Sequence, residues 1–238
     1  MIAIPLVASA RESDQCASAP TPQLHVLACT AVIEDASRSG KTLEIAYVNR
    51  ALAYFATSDA AHAISDFSKA LELAPDDSIA YEGRAIVYTT TKDYDRAIQD
   101  DRKALSIDPG SVRAYNNLAN AYKGEGHLSR ALENYNEAIK LSANEPTLYF
   151  NRANTLKAIG RLKEAIADYN RALDLNHTFL SAYINRGTAY EGLGDMKDAK
   201  ADFNRVLQID PMNNAAIANL LAVDRATQSA PTHDVDPQ

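Results

Sequence analysis

The stretch "YVNRALAY" at residues 47–54 returns as "YFNRANTL" at residues 149–156 and as "YINRGTAY" at residues 183–190. The three starting positions differ by multiples of 34 residues. A constant period of this length indicates an array in which one supersecondary unit is repeated. Counted from Glu44, five contiguous repeats, here called repeats 1 to 5, occupy residues 44–77, 78–111, 112–145, 146–179 and 180–213.

Each repeat carries the apolar pattern of two helices. In the first helix, tyrosine at the fourth position, a small residue at the eighth and tyrosine or leucine at the eleventh form one stripe at helical spacing. In the second helix, alanine at the twentieth position and alanine or valine at the twenty-seventh let two helices approach closely. Glycine, Ser58 or Lys92 at the fifteenth position, and proline at the thirty-second in three repeats, mark the helix ends. The sequence therefore predicts an all-α fold of antiparallel helix pairs.

These signature positions resemble the tetratricopeptide repeat family, fully over residues 44–213 and with capping helices over about 23–226. The resemblance implies a right-handed superhelical solenoid whose first helices line a concave groove, and such a groove usually receives an extended peptide or a partner's helix. One departure is Asp101 at the twenty-fourth position of repeat 2, which predicts looser packing there. The other four repeats have an aromatic residue at that position: Phe67, Tyr135, Tyr169 and Phe203.

The segments that flank the repeats are predicted to cover the two ends of the array. Residues 23–43 carry the second-helix pattern and predict a capping half repeat, and residues 214–226 predict a C-terminal capping helix. Such covers are needed because each repeat buries its apolar side only against its neighbours. Residues 227–238 are polar and contain proline, which predicts a flexible tail, and residues 11–22 form an N-terminal segment.

The first ten residues, "MIAIPLVASA", are mostly apolar and end in the small-x-small form of a signal-peptidase site. Because a basic n-region is missing, a truncated export signal and a frayed N-terminus are both open interpretations of residues 1–10. Export would make the two cysteines, Cys16 and Cys29, a disulfide candidate, and two unrelated thiols are the alternative. We expect a periplasmic or secreted protein, with a cytoplasmic location as the alternative.

Composition and motifs argue against several classes of protein. The net charge is −7 and the pI is near 5.2, and without a cluster of Lys and Arg no nucleic-acid binding is expected. The sequence has no uninterrupted apolar stretch of about 18 residues, so no membrane-spanning helix is expected. The histidines lack the spacing of a zinc site, and the carboxylates recur as surface residues of the repeats. We therefore expect no metal, no cofactor and no enzymatic activity.

Asparagine recurs at the sixth position of the first helix, with Gly83 as the exception, although it is a mediocre helix former. A turn of about 100° per residue places this position away from the apolar stripe, together with positions two, five, nine, twelve and thirteen. A carboxamide offers a donor and an acceptor, which suits a peptide backbone whatever its side chains. The row is similar to the asparagine ladder in the superhelix of O-linked N-acetylglucosamine transferase, and solvated surface residues are the alternative. The predicted peptide-binding residues are Asn49, Asn117, Asn151, Asn185, Asn120, Asn154, Asn116, Lys123 and Lys157.

A second pair of positions varies together. Arginine at the seventh position accompanies aspartate at the twenty-third in four repeats, whereas repeat 3 has Leu118 and Asn134. This internal co-variation predicts a bidentate ion pair between the two helices of a repeat, with a structural role. The predicted pairs are Arg50–Asp66, Arg84–Asp100, Arg152–Asp168 and Arg186–Asp202.

The sequence thus favours a non-enzymatic interaction module whose groove holds an extended peptide segment of a partner protein through these asparagines. Lys123 and Lys157 would add a preference for an acidic ligand, and ordinary solvated lysines are the alternative. The alternative function is a self-assembling structural scaffold, a homo-oligomer in which an array end or the N-terminal segment enters the groove of a neighbouring copy.

Overall fold

A computed structural model of the chain describes residues 15–228. The predicted signal-peptide remnant at residues 1–10, and the predicted tail beyond residue 228, lie outside the described residues. Every element within residues 15–228 is an α-helix, and no helix there is long and apolar enough to cross a membrane. The helices of this range are α1 (Gln15–Ser18), α2 (Pro22–Glu34), α3 (Lys41–Ala56), α4 (Ala60–Leu73), α5 (Ser78–Thr90), α6 (Tyr94–Ile107), α7 (Val112–Glu125), α8 (Leu128–Leu141), α9 (Pro146–Ala158), α10 (Leu162–Leu175), α11 (Leu180–Gly192), α12 (Met196–Ile209) and α13 (Asn214–Gln228).

Five consecutive pairs of helices correspond to the five repeats. Repeat 1 contains α3 and α4, and each following repeat contains the next two helices, up to α11 and α12 in repeat 5. The chain divides into two compact halves, one up to Arg130 and one from Ala131 onwards. Within each half, a second helix packs against the first helix of its own repeat and of the next one, as α4 does with α3 and α5, and α10 does with α9 and α11. The predicted all-α array of helix pairs is confirmed.

In each of the five repeats, the first helix is followed by a residue in the left-handed conformation. Gly126, Gly160 and Gly194 have φ angles of 88°, 78° and 80°, which glycine adopts without a Cβ clash. In the first two repeats, Ser58 and Lys92 adopt the same conformation, with φ angles of 63° and 64°. The helix ends that the sequence predicts at the fifteenth position are confirmed, including the two where an L side chain is strained.

The short helix α1 stands where the first helix of a preceding repeat would be. Its four residues lie 34 positions before residues 49–52, so α1 has the register of positions six to nine. It packs against α2 and α3, as a first helix packs against its own second helix and the next first helix. A disulfide joins Cys16 on α1 to Cys29 on α2, and both cysteines are buried against Ala46. The described part of the N-terminal cover therefore contains residues of a first helix as well as a second helix, where the sequence predicted only a second helix.

Small and aromatic side chains build the core of each layer. The alanines at positions eight and twenty, such as Ala51 and Ala63, are fully buried where the two helices of a repeat meet. The aromatic ring at position twenty-four, such as that of Phe67 or Tyr169, fills the space beside them. Burying one such ring stabilises the fold by roughly 2–3 kcal/mol.

The arginine at the seventh position holds the two helices of its repeat together. In repeats 1, 2, 4 and 5, its Nε and Nη2 atoms donate to the two carboxylate oxygens of the aspartate at the twenty-third position, over 2.6–2.9 Å. Two parallel charge-assisted hydrogen bonds of this kind fix both distance and orientation. The four pairs are Arg50–Asp66, Arg84–Asp100, Arg152–Asp168 and Arg186–Asp202.

The same guanidinium also reaches a third helix. Its Nη1 atom donates to a hydroxyl or amide oxygen on the second helix of the preceding repeat, over 2.6–3.0 Å. A tyrosine ring at position four flanks the guanidinium in these four repeats, and in repeats 1, 2 and 5 a tyrosine ring at position eleven does so as well. The ring centroids lie 5.5–5.9 Å from Cζ of the arginine, within cation–π range. Each arginine therefore ties one repeat to the one before it. The acceptors on the preceding helix are Thr30, Ser68, Asn136 and Asn170.

The junction between repeats 2 and 3 is built differently. Repeat 3 has the buried Leu118 at the seventh position, so α7 lacks the arginine that the other first helices carry there. An arginine comes from the preceding second helix instead, because Arg102 on α6 donates through Nη2 to the hydroxyl of Tyr122 on α7, over 2.8 Å. The residue beside it on α6 is the buried Asp101.

Gly83, which interrupts the asparagine row, makes room for an aromatic ring. A Cβ atom at this position would lie 2.5 Å from two ring carbons of Phe67. Contacts this short do not occur between real Cβ atoms and rings, so any larger residue at position 83 must displace the ring. The glycine is thus explained by packing within the N-terminal half.

We expect that replacing Arg152 by alanine lowers the free energy of unfolding by about 2–3 kcal/mol. The change leaves the buried carboxylate of Asp168 without its bidentate partner and removes the contact with Asn136. The value lies below that of a fully buried pair because the Arg152 side chain is 23% exposed. Urea denaturation followed by circular dichroism measures the difference.

The matched control for Arg152 is Arg161→Ala. Arg161 pairs with Glu164 on the surface, where its side chain is 49% exposed, so its loss is expected to cost no more than about 1 kcal/mol. Equal effects of the two substitutions would contradict the structural role of the seventh-position arginine.

We also expect Gly83→Ala to destabilise the protein by about 1–3 kcal/mol, because the added methyl group overlaps the ring of Phe67. The control is Gly110→Ala, since a Cβ there meets only Asp108 Oδ1 at 3.4 Å. The double variant Phe67→Leu and Gly83→Ala should lose less stability than the two single changes added together. Additive losses in thermal denaturation would show that residue 83 does not press on residue 67.

Candidate functional site

Each half of the chain presents a first-helix face, which we define by positions five, six, nine and twelve of its first helices. The nine residues predicted to bind a peptide all lie on first helices, and seven of them are half-buried. The half-buried residues are Asn116, Asn120, Lys123, Asn151, Asn154, Lys157 and Asn185, and the buried ones are Asn49 and Asn117.

Two of the asparagines at the sixth position, Asn49 and Asn185, contact the first helix that precedes their own. Asn49 is 4% exposed, and its Nδ2 atom lies 3.8 Å from Sγ of Cys16 on α1. Asn117 is 8% exposed, and Asn185 donates through Nδ2 to Asn154 on α9. The prediction that this position points away from the packed structure is wrong for Asn49 and Asn117, because the helical wheel considered only the packing of a first helix on its own second helix.

In the C-terminal half, two asparagines from successive first helices are locked together. Oδ1 of Asn154 accepts a hydrogen bond from the hydroxyl of Tyr169, over 2.6 Å, and another from Nδ2 of Asn185, over 2.7 Å. These two bonds fix the orientation of both carboxamides. Among the residues that the structure describes, Nδ2 of Asn154 and Oδ1 of Asn185 have no hydrogen-bond partner. The face thus offers one donor group and one acceptor in fixed positions.

Two lysines on the first helices have no carboxylate partner within residues 15–228. Nζ of Lys157 donates to Oγ1 of Thr188, over 2.9 Å, and that hydroxyl donates in turn to the backbone oxygen of Asn185. Burial lowers the pKa of Lys157, and burial likewise lowers the pKa of Lys123 in the N-terminal half. A half-buried ammonium group without an anion retains the capacity to donate to a ligand.

The first-helix face of the N-terminal half carries an acidic group that the sequence prediction did not include. Glu82, at the fifth position of repeat 2, is buried and accepts a hydrogen bond from the hydroxyl of Ser111, the N-cap residue of α7. Its other oxygen lies 3.0 Å from Nη2 of Arg113. Burial raises the pKa of Glu82 in spite of these two partners.

Buried polar atoms without partners occur on three helices that pack on one another, α5, α6 and α7. Asp101 is 0% exposed, and neither of its carboxylate oxygens has a hydrogen-bond partner among the described residues. The same holds for Nδ2 of Asn117 on α7 and Oγ1 of Thr89 on α5. Burial, and then the nearby charges of Glu82 and Asp100, raise the pKa of Asp101 well above its usual range.

Several residues that orient the predicted ones were missed from the sequence. Tyr169 and Thr188 hold the asparagine pair and Lys157, and neither was singled out as a site residue. A signal for Tyr169 exists, because a tyrosine at position twenty-four precedes asparagine at position six of the next repeat, whereas Phe67 precedes Gly83. Thr188 gave no comparable signal, since position nine varies among the repeats.

The side chains on these faces are amides, hydroxyls, ammonium groups and a carboxylate, which suit hydrogen bonding and ion pairing with a ligand. Within residues 15–228, no group of three or more His, Cys, Asp and Glu side chains could hold a metal ion.

Family models match the chain along most of the array. Models described as "Tetratricopeptide repeat" match residues 48–112, 102–133 and 181–213, and a model described as "TPR repeat" matches residues 120–160 and 153–194. No curated protein matches the sequence.

Solved structures of similar fold are tetratricopeptide repeat proteins. One from Parabacteroides merdae ATCC 43184 is 21% identical over 85% of this chain and 78% of its own, with a TM-score of 0.66. TTC0263 of Thermus thermophilus is 19% identical over 76% of this chain and 99% of its own, with a TM-score of 0.63. YrrB, described as having an unusual peptide-binding site, is 22% identical over 81% of this chain and 97% of its own, with a TM-score of 0.60. With its period, its helix pairs and these matches, the chain belongs to the tetratricopeptide repeat family.

Proposed function

We propose that the chain is a non-enzymatic module that binds an extended segment of a partner protein on its first-helix faces. The observation that carries the proposal is the locked pair of Asn154 and Asn185. The free Nδ2 group of Asn154 can donate to a backbone carbonyl, and the free Oδ1 of Asn185 can accept from a backbone N–H. A peptide backbone presents both groups along its length, so this pair can hold it whatever its side chains.

Preorganisation supports this role. The hydroxyl of Tyr169 and the amide of Asn185 hold Asn154 in place, so little side-chain entropy is lost when a ligand binds. Lys157 lies one helical turn from Asn154 and has ammonium hydrogens beyond the one given to Thr188, which can donate to a carbonyl or carboxylate of the ligand. The family fold also favours protein partners, and the similar protein YrrB is described as having a peptide-binding site.

An oxidising compartment fits the disulfide between Cys16 and Cys29. Disulfides persist in the periplasm and outside the cell and are rare in the cytosol of most organisms. We therefore propose that the protein acts in the periplasm or after secretion, on a partner that is exposed there.

The experiment selects ligands from a random library of acetylated and amidated dodecapeptides on the immobilised protein. Selected peptides are labelled, and their affinity is measured by fluorescence anisotropy. The double variant Asn154→Ala and Asn185→Ala should bind about 30-fold more weakly, since two hydrogen bonds at roughly 1 kcal/mol each are lost.

The matched control is Asn204→Ala, which removes an exposed asparagine from the second helix α12 and should leave affinity unchanged. N-methylation of single peptide bonds in a selected ligand gives a further readout, because it removes one backbone donor without changing a side chain. If the double variant binds as tightly as the wild type, or if no N-methylation weakens binding, the asparagine pair does not grip a peptide backbone.

A further inference from the structure

The side chain at position twenty-four lies between the first helix of its own repeat and that of the next. The ring of Phe67 on α4 lies against Gly83 on α5, and the hydroxyl of Tyr169 on α10 reaches Asn154 on α9. In repeat 2 the residue at this position is Asp101, whose carboxyl group is much shorter than an aromatic ring. A carboxyl group therefore stands where the other repeats place the inner part of a ring, and the outer part of the ring has no counterpart in residue 101.

Among the residues that the structure describes, the charges that act on the titration of Asp101 are negative. Glu82 on α5 and Asp100 on α6 both act on its titration. The nearby cations are engaged elsewhere, because Arg84 binds Asp100 in a bidentate pair and Arg113 on α7 lies against Glu82. An ionised carboxyl group in this position has no hydrogen-bond donor among the described residues, so burial favours the protonated form in the free protein.

Asp101 is not the only residue on these helices with buried polar atoms that lack a partner in the described structure. Oγ1 of Thr89 on α5 and Nδ2 of Asn117 on α7 are also buried without partners in the described structure, and both of these first helices pack on α6, which carries Asp101. Buried polar groups are nearly always paired, and each such exception calls for an explanation. Thr89 as a residue is half-buried on the first-helix face, the surface on which we place the ligand.

We propose that the cluster of Asp101, Thr89 and Asn117 is a specificity pocket for a lysine side chain of the bound segment. This inference rests on the proposed function and names the chemistry of its ligand. The lysine ammonium enters between α5 and α7, pairs with the carboxylate of Asp101 and donates to the hydroxyl of Thr89. Asp101 releases its proton to solvent as the ammonium arrives, so the buried charge stays balanced.

Lysine fits this pocket better than arginine does. The ammonium group is compact and sits on a thin, flexible stem, whereas the guanidinium is a wide, planar fork. The layer is closed in the free protein, since Asp101 is 0% exposed, and a slender side chain needs the smaller displacement of its walls.

The test uses the same dodecapeptide library, and compares wild type with Asp101→Asn. Asparagine has the shape of aspartate and cannot ionise, so this variant is expected to fold and to be more stable at pH 7. The reason is that a carboxyl pKa raised by folding makes stability fall as pH rises above the unfolded pKa, and asparagine lacks this dependence. The control is Asp95→Asn, an exposed acid on the same helix α6.

We expect wild type and Asp95→Asn to enrich lysine at one ligand position, and Asp101→Asn to bind peptides without that enrichment. Replacing this lysine by norleucine should weaken binding to wild type at least tenfold and leave binding to Asp101→Asn unchanged. Calorimetry at pH 7 in phosphate and in Tris should show about one proton released per complex for wild type and none for Asp101→Asn.

The outcomes separate this inference from the proposed function. Peptides that bind through the asparagine pair, but without lysine enrichment or with enrichment unaffected by Asp101→Asn, would overturn the lysine pocket alone. If wild type retains no peptide, the proposed function fails, and n-butylammonium then serves as the probe. Its titration should ionise Asp101, as read from the ¹³C resonance of its carboxyl carbon, and an unchanged resonance would overturn the pocket as well.

Discussion

The guanidinium at the seventh position of the first helix sets the geometry on which the rest of each half depends. It binds the aspartate of its own second helix through two parallel hydrogen bonds, and reaches the preceding second helix through a third, as Arg186 does with Asp202 and Asn170. A planar fork that is engaged on two sides allows little change in distance or angle. Successive first helices are therefore held at a fixed offset, which is the condition for residues of successive repeats to form a pair such as Asn154 and Asn185.

Much of this fold could be predicted from the sequence because the information is repeated five times. The period and the apolar stripe give the helix pairs, and the joint loss of arginine and aspartate in repeat 3 identifies two positions that meet. The third acceptor was missed because its identity changes, from Thr30 to Ser68 to Asn136, and only its polarity is constant. The first helix α1 was missed because its four described residues are too few to show a helical period.

The orientation of the asparagines could not be derived from the sequence. A helical wheel gives the angle of a side chain relative to one partner helix, but a first helix such as α5 packs on four helices, α3, α4, α6 and α7. Asn49 is sealed by the disulfide-linked α1, whereas Asn154 and Asn185 stay half-buried. The same residue type at equivalent positions is thus a buried inter-helix contact at one end and part of an accessible face elsewhere, and only the local neighbours decide between them.

At the junction of repeats 2 and 3, the arginine of position seven and the aromatic ring of position twenty-four are lost together. Leu118 removes the arginine tie, Arg102 replaces it from the opposite helix, and Asp101 removes the aromatic ring at the same level. The concentration of these changes in one layer, with a buried acid that has no hydrogen-bond partner among the described residues, is better explained by a functional requirement on that layer than by tolerance of neutral change. Because a ligand that supplies the missing positive charge would restore the balance that the free protein lacks, stability and recognition are linked at this point.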